Sequence, residues 1–187
     1  MRIISGKLKG KKILLPSDKL TRPLKDITKE SIFNIIKHSN ILNIDLEKSN
    51  ILDLFSGVGS FGLECLSRGA LSVIFLESYA NVLTILKKNL NNLKLQNHSK
   101  VIEKDIFNDN TLKYLDQKFE IIFLDPPYKE KRLSIIINKI IKLKLLKKNG
   151  IIIIHRHKKE EDIFPDNFNI ILKKTHGISK VIFGRAF

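Results

Sequence analysis

A chain of 187 residues, 43% apolar and 28% charged with a single cysteine, has the length of one domain and can bury a core without disulfides or metal. Its 34 basic and 19 acidic side chains give a formal net charge of +15. No apolar run reaches the ~18 residues of a membrane span, and the opening Met1 to Ser5 lacks the apolar stretch of a secretory signal, so a cytoplasmic protein is expected.

The 28 Lys, 6 Arg and 30 Ile carry the mark of an AT-rich coding sequence, but the charge excess is unevenly spread. Residues 1 to 30 hold 9 basic and 3 acidic side chains, residues 129 to 159 hold 11 and 1, and the remainder is close to neutral. Two segments holding the whole excess read as a phosphate-binding surface; the plainer alternative is a face kept solvated by lysine.

In chain order, residues 1 to 48 read as a basic extension packed on the core. They comprise a short hairpin (Ile3, Ile4, then Ile13 to Leu15), a turn at Thr21-Arg22-Pro23, and a helix from about Asp26 carrying Ile32, Phe33 and Ile36. From residue 49 the pattern alternates. Apolar runs at Ile51 to Phe55, Val73 to Leu76, Glu120 to Leu124 and Ile151 to Ile154 read as strands buried on both faces. Amphipathic stretches at Tyr79 to Leu95 and Leu133 to Leu146 read as helices between them. Ile170 to Phe183 reads as two strands around Thr175-His176-Gly177. The expected fold is α/β, a mostly parallel Rossmann-like sheet with right-handed crossovers and a C-terminal antiparallel pair.

Two motifs carry chemistry. Asp53 to Gly62 follows the first core strand and opens a helix, and its Gly57, Gly59 and Gly62 match the dinucleotide-type fingerprint. Glu77 ends the second strand, 20 residues after Gly57, where a carboxylate accepts hydrogen bonds from ribose hydroxyls. Asp53 at the mouth of the loop would oppose a pyrophosphate but suits a cofactor bearing an ammonium group, so S-adenosylmethionine is expected over a nicotinamide dinucleotide. The second motif, Asp125-Pro126-Pro127-Tyr128, closes a later strand. Its prolines fix a rigid bend that projects the Asp125 carboxylate and the Pro126 carbonyl as acceptors at the ligand-binding edge of the sheet. Two acceptors holding the hydrogens of an exocyclic amine would free its lone pair for methylation, and Tyr128 offers a face for an extruded base.

Together with Arg2 to Gly6, Thr21-Arg22-Pro23 and Glu30 to Asn34, these motifs resemble the bacterial 16S rRNA (guanine(966)-N2)-methyltransferase family over nearly the whole chain. The resemblance implies a seven-stranded class I methyltransferase sheet, S-adenosylmethionine as cofactor and small-subunit rRNA as substrate. It implies that Asp53, Gly57 and Gly59 line the methionine end of the cofactor, with Phe55 also counted among the binding residues. Glu77 would hold the ribose, Asp105 and Ile106 the adenine; Arg22 and Pro23 would lie over the pocket. Asp125, Pro126, Pro127 and Tyr128 would form the catalytic motif. Leu24, Lys29 and His155 depart from the family pattern, where Thr, Arg and an acidic residue are usual. The first two departures are expected to touch RNA or cofactor contacts. Asp-Pro-Pro-Tyr is shared with adenine-N6 and cytosine-N4 DNA methyltransferases, so those, and a non-catalytic nucleic-acid-binding protein on the same fold, stand as alternatives. Cys65 reads as a core residue. His155 and His157 read as facing solvent or RNA, without partners for a metal site, and a monomer is expected.

Overall fold

The computed structural model describes residues 1–17 and 24–187, so the turn at Thr21, Arg22 and Pro23 lies outside the described residues. Seven strands form one sheet in the order β3-β2-β1-β4-β5-β7-β6: β1 Asn50–Leu54, β2 Ser72–Glu77, β3 Ser99–Glu103, β4 Phe119–Leu124, β5 Leu146–His157, β6 Phe168–His176 and β7 Ser179–Ala186. The first five are parallel, and β7 pairs antiparallel with both β5 and β6. Four helices, α1 Asp26–His38, α2 Ser60–Ser67, α3 Ala80–Asn92 and α4 Leu133–Lys142, connect or cover them.

Alternating side chains on each central strand feed two apolar layers, as parallel strands covered on both faces require. Ile51, Val73, Phe75, Ile121, Phe123, Ile151 and Ile153 face the first layer, with α1, α2 and α3. Leu52, Leu54, Ile74, Leu76, Ile122, Leu124, Ile152 and Ile154 face the second, closed by Leu133, Ile136, Ile137 and Ile140 of α4. In the first layer Phe61 stacks between Phe123 and Phe33, with ring centroids 4.0 and 5.3 Å apart, which joins α2, β4 and α1.

The N-terminal residues pack on that first layer through Ile3, Ile13, Leu24, Ile32 and Phe33. Arg2 and Lys12 form a single antiparallel bridge, so the expected hairpin is reduced to one rung. Its stability comes from α2. The Ile4 and Ser5 amides donate to the fully buried Glu64 carboxylate at 2.8 and 2.9 Å, and Lys7 N donates to Ser67 O at 2.7 Å. Lys29, also fully buried, lies 3.6 Å from Glu64 and donates to the Arg2 carbonyl at 2.9 Å. Leu24 is 2% exposed. These two departures from the family pattern are therefore interior packing positions, and the expectation that they touch RNA is corrected.

Two further expectations change. The helix expected over Leu133 to Leu146 stops at Lys142, and Leu146 already pairs with Phe119 at the start of β5. Lys147 and Lys148 hence stand on a strand, Lys147 bonded to Glu120. Among the described residues, residues 1 to 17 pack on the first layer while α4 covers the second, so these parts of the two basic segments lie on opposite faces of the sheet. Several of their cations are matched internally, by Lys131 with Glu160, Arg132 with Glu130 and Lys139 with Asp109.

Candidate active site

The site assembles where β1 and β4, adjacent and parallel with Leu54 opposite Leu124, end side by side. Asp125 N donates to Leu54 O at 3.3 Å, so the two motif-bearing loops leave the sheet together.

After β1 the chain turns sharply. Phe55 has φ 57°, and Gly59, with φ 84°, precedes α2. A Cβ at Gly59 would sit 2.5 Å from Leu86, and one at Gly62 would sit 2.3 Å from the Phe75 ring, so the loop and the helix it opens lie hard against α3 and β2. A Cβ at Gly57 would meet nothing within 4 Å, which leaves that side of the loop open to a ligand. The Ser56 hydroxyl in this loop is buried without a hydrogen-bond partner.

Glu77 braces the loop. Its Oε2 accepts from Gly57 N at 2.8 Å, while Oε1 accepts from the Ser78 and Tyr79 amides at 2.8 and 2.9 Å. Asp53 is 1% exposed, and its Oδ2 accepts from Gly62 N at 3.0 Å, tying the end of β1 to the first turn of α2. Burial pushes the Asp53 carboxyl well above the ordinary range; the Gly62 bond partly offsets this, and the charges of Asp125 and Glu77 add to the rise. Three acidic side chains around one glycine loop would repel a pyrophosphate and suit a cofactor carrying sulfonium and ammonium charges. The donor set thus fits S-adenosylmethionine.

Beyond β3, Asp105 Oδ1 accepts from Phe107 N at 2.9 Å and its carbonyl accepts from the Thr111 hydroxyl at 2.7 Å, which shapes the following turn. Ile106 is 2% exposed and belongs to the second core layer. Phe107 lies 6.2 Å from Phe55 and carries the Arg132 guanidinium 3.4 Å above its ring centroid, linking the loops after β1, β3 and β4.

At the end of β4, Asp125 is partly exposed, Pro126 is buried, Pro127 is exposed and Tyr128 is half-buried. The Tyr128 ring stands 5.2 Å from His157 and 6.2 Å from His155. His155 is not turned to solvent. It is 6% exposed, and its Nδ1 lies 2.7 Å from Asp125 Oδ1, which corrects the solvent-facing reading. Among the described residues no cluster of three or more His, Cys, Asp or Glu could hold a metal. Cys65 is fully buried in α2, and burial pushes its thiol up, so it is inert toward the site.

Sequence reasoning missed the residue that shapes the second motif. Arg156 of β5 is fully buried. Its Nε donates to both Asp162 oxygens at 3.0 and 3.1 Å, Nη1 to Pro127 O at 3.0 Å and Nη2 to Glu130 O at 2.8 Å. A guanidinium can do this because its donors form a planar fork. The available signal was an arginine two residues beyond the apolar run Ile151 to Ile154, which must be matched once buried.

A sheet in this order, with a glycine loop after β1 and the Asp-Pro-Pro-Tyr loop after the neighbouring strand, has the class I methyltransferase fold. The family model described as conserved hypothetical protein 95 matches residues 1–185. The ribosomal RNA small subunit methyltransferase D of Haemophilus influenzae is 33% identical over 183 residues, 95% of this chain and 90% of that protein. The chain belongs to that family. The solved structure of Haemophilus influenzae HI0767, 33% identical, superposes with a TM-score of 0.76 over 98% of this chain and 96% of that one. SMU.776, solved in complex with SAH, is 16% identical and shares the fold, with a TM-score of 0.64 over 83% of this chain and 48% of that one.

Proposed function

We propose that the protein is an S-adenosylmethionine-dependent methyltransferase acting on the exocyclic N2 amine of a guanine in small-subunit rRNA. The observation that carries this reading is the emergence of the glycine loop and the Asp125 loop from adjacent strand ends, locked by the bond from Asp125 N to Leu54 O. Adjacent strand ends of this kind would put cofactor and base at one edge of the sheet, which supports the reading. The names of the family's members supply the rRNA, and the SAH held by SMU.776 agrees with the cofactor.

When bound, the cofactor would supply a methyl group activated on a sulfonium, for direct in-line transfer without a covalent enzyme intermediate. Asp53, Phe55, Gly57, Gly59, Glu77, Asp105 and Ile106 would form its binding site, with Arg22 and Pro23 over it. Asp125 and the Pro126 carbonyl accept hydrogen bonds from the two amine hydrogens, drawing the nitrogen lone pair out of the ring and aiming it, and the methylated nitrogen, now acidic, gives up one proton after transfer. Pro127 keeps the bend rigid, and Tyr128 stacks on the extruded base. The protein contributes orientation and exclusion of water rather than a covalent intermediate.

The test is transfer of labelled methyl groups to naked 16S rRNA and to small subunits, followed by nucleoside analysis. N2-methylguanosine is expected, and Asp125→Ala should abolish its formation while cofactor binding survives. Label found in N6-methyladenosine or N4-methylcytidine would overturn the assignment of the base.

A further inference from the structure

The closest polar contact of the catalytic carboxylate comes from a residue that the family resemblance did not predict. His155 Nδ1 lies 2.7 Å from Asp125 Oδ1, and the imidazole is nearly buried, with 8% of its side chain exposed. A carboxylate can only accept, so Nδ1 carries the hydrogen in the neutral ring as in the charged one. The other ring nitrogen, Nε2, is buried and has no hydrogen-bond partner among the described residues. The hydrogen bond to Asp125 is therefore the one the ring makes among them. The edge of Tyr128, with its ring inclined 66° to the imidazole, limits rotation of the ring on one side, and pairing of His155 with Val181 of β7 fixes its backbone.

We propose that His155 is a positioning residue for methyl transfer: it holds Asp125 by one carboxylate oxygen, Oδ1, and so presents the other, Oδ2, to the target amine. The proposal rests on the role given to Asp125 above. Without this donor the carboxylate is free to rotate about its Cβ–Cγ bond and to spend its best-aligned lone pair on water. With it, the acceptor geometry is set before the base arrives, at no reorganisation cost during the reaction. The same contact ties the amine-holding group to the face on which the base would stack, because His155 touches both Asp125 and Tyr128.

Two measurements test this. In ring-nitrogen NMR of the ligand-free protein, the neutral His155 is expected as the Nδ1–H tautomer, and Asp125→Ala should release it to Nε2–H; an Nε2–H ring in the unaltered protein would overturn the proposal. In single-turnover transfer to small-subunit RNA, His155→Leu should slow the methyl step roughly tenfold or more with unchanged S-adenosylmethionine affinity. His155→Asn, whose amide nitrogen occupies the place of Nδ1, should recover most of the rate. A Leu variant as fast as the original, or an Asn variant as slow as Leu, would overturn the proposal. If the unaltered protein methylates no small-subunit RNA, the reading of the function fails instead, and the tautomer still decides whether His155 donates to Asp125.

Discussion

Replacing Arg156 with Met keeps most of the side-chain volume and removes every donor of the fork. The Asp162 carboxylate, 5% exposed, would lose its buried cation, and Pro127 O and Glu130 O would lose their donors. Removing one partner of a buried ion pair costs about 3–5 kcal/mol, because the remaining charge is left uncompensated. For a domain of this size each kcal/mol moves the melting temperature by roughly 2–4 °C, so a fall of about 6–20 °C is expected. Urea titration of Arg156→Met, Asp162→Leu and the double variant separates the causes. The double variant should regain a large part of the loss, since no lone charge is left inside and only the two carbonyls remain to find water. Methyl transfer should stay low in it, because the bend carrying Tyr128 is no longer tied to β5. A loss below about 1 kcal/mol in Arg156→Met would place the pair among solvated surface ion pairs and refute the reasoning.

Asp53→Asn should alter the pH profile of stability in the ligand-free protein. The folded carboxyl titrates above its unfolded value, so between those two values the folded state holds more protons and stability falls as pH rises; denaturation at a series of pH values should show that decline flattened in the variant, with cofactor affinity weakened. Tyr128→Phe should be mild in single-turnover assays, while Tyr128→Ala should lose the ~1–3 kcal/mol of base stacking, roughly 10- to 100-fold in rate; equal damage in both would mean that the hydroxyl matters. Lys142, Lys144, Lys147 and Lys148 lie near the start of β5, at the sheet edge opposite Asp125, so replacing them with Gln should leave the salt dependence of RNA binding unchanged. Replacing Lys129, Lys158 and Lys159, beside the site, should flatten it by about 0.7 in log–log slope per lost contact with single-stranded RNA.

Strands β1, β2 and β4 were legible because burial on both faces demands unbroken apolar runs, and the two motifs were legible because glycine and proline constrain the backbone wherever they stand. Strand β3 offers no such run: Ser99–Glu103 lies at the sheet's edge with only part-buried or exposed residues, so nothing in its composition marks it. The first residues of β5 include Lys147, Lys148 and Asn149, which break any apolar run, and helical spacing runs across the true break at Lys142. His155, Arg156 and Lys29 were misread or overlooked for a different reason. Each is polar, and its burial depends on a partner outside its own element: Asp125 for His155, Asp162 and the carbonyls of Pro127 and Glu130 for Arg156, and Glu64 for Lys29.

The anchoring of the N-terminal segment sets a schedule for folding. Ile4 and Ser5 wait for Glu64, 60 and 59 residues downstream. The Leu14 amide and carbonyl wait for the side chain of Asn89, 75 residues downstream, which also reaches the glycine loop at Val58 O. At roughly 5–20 residues per second of synthesis, this segment spends about 3–15 s with nothing to dock on. The first 17 residues carry five basic side chains and no acidic one, a composition that keeps the nascent segment solvated through that interval. The segment is therefore secured only once α3 is in place, and the amide of Asn89 secures it in the same contact that braces the glycine loop.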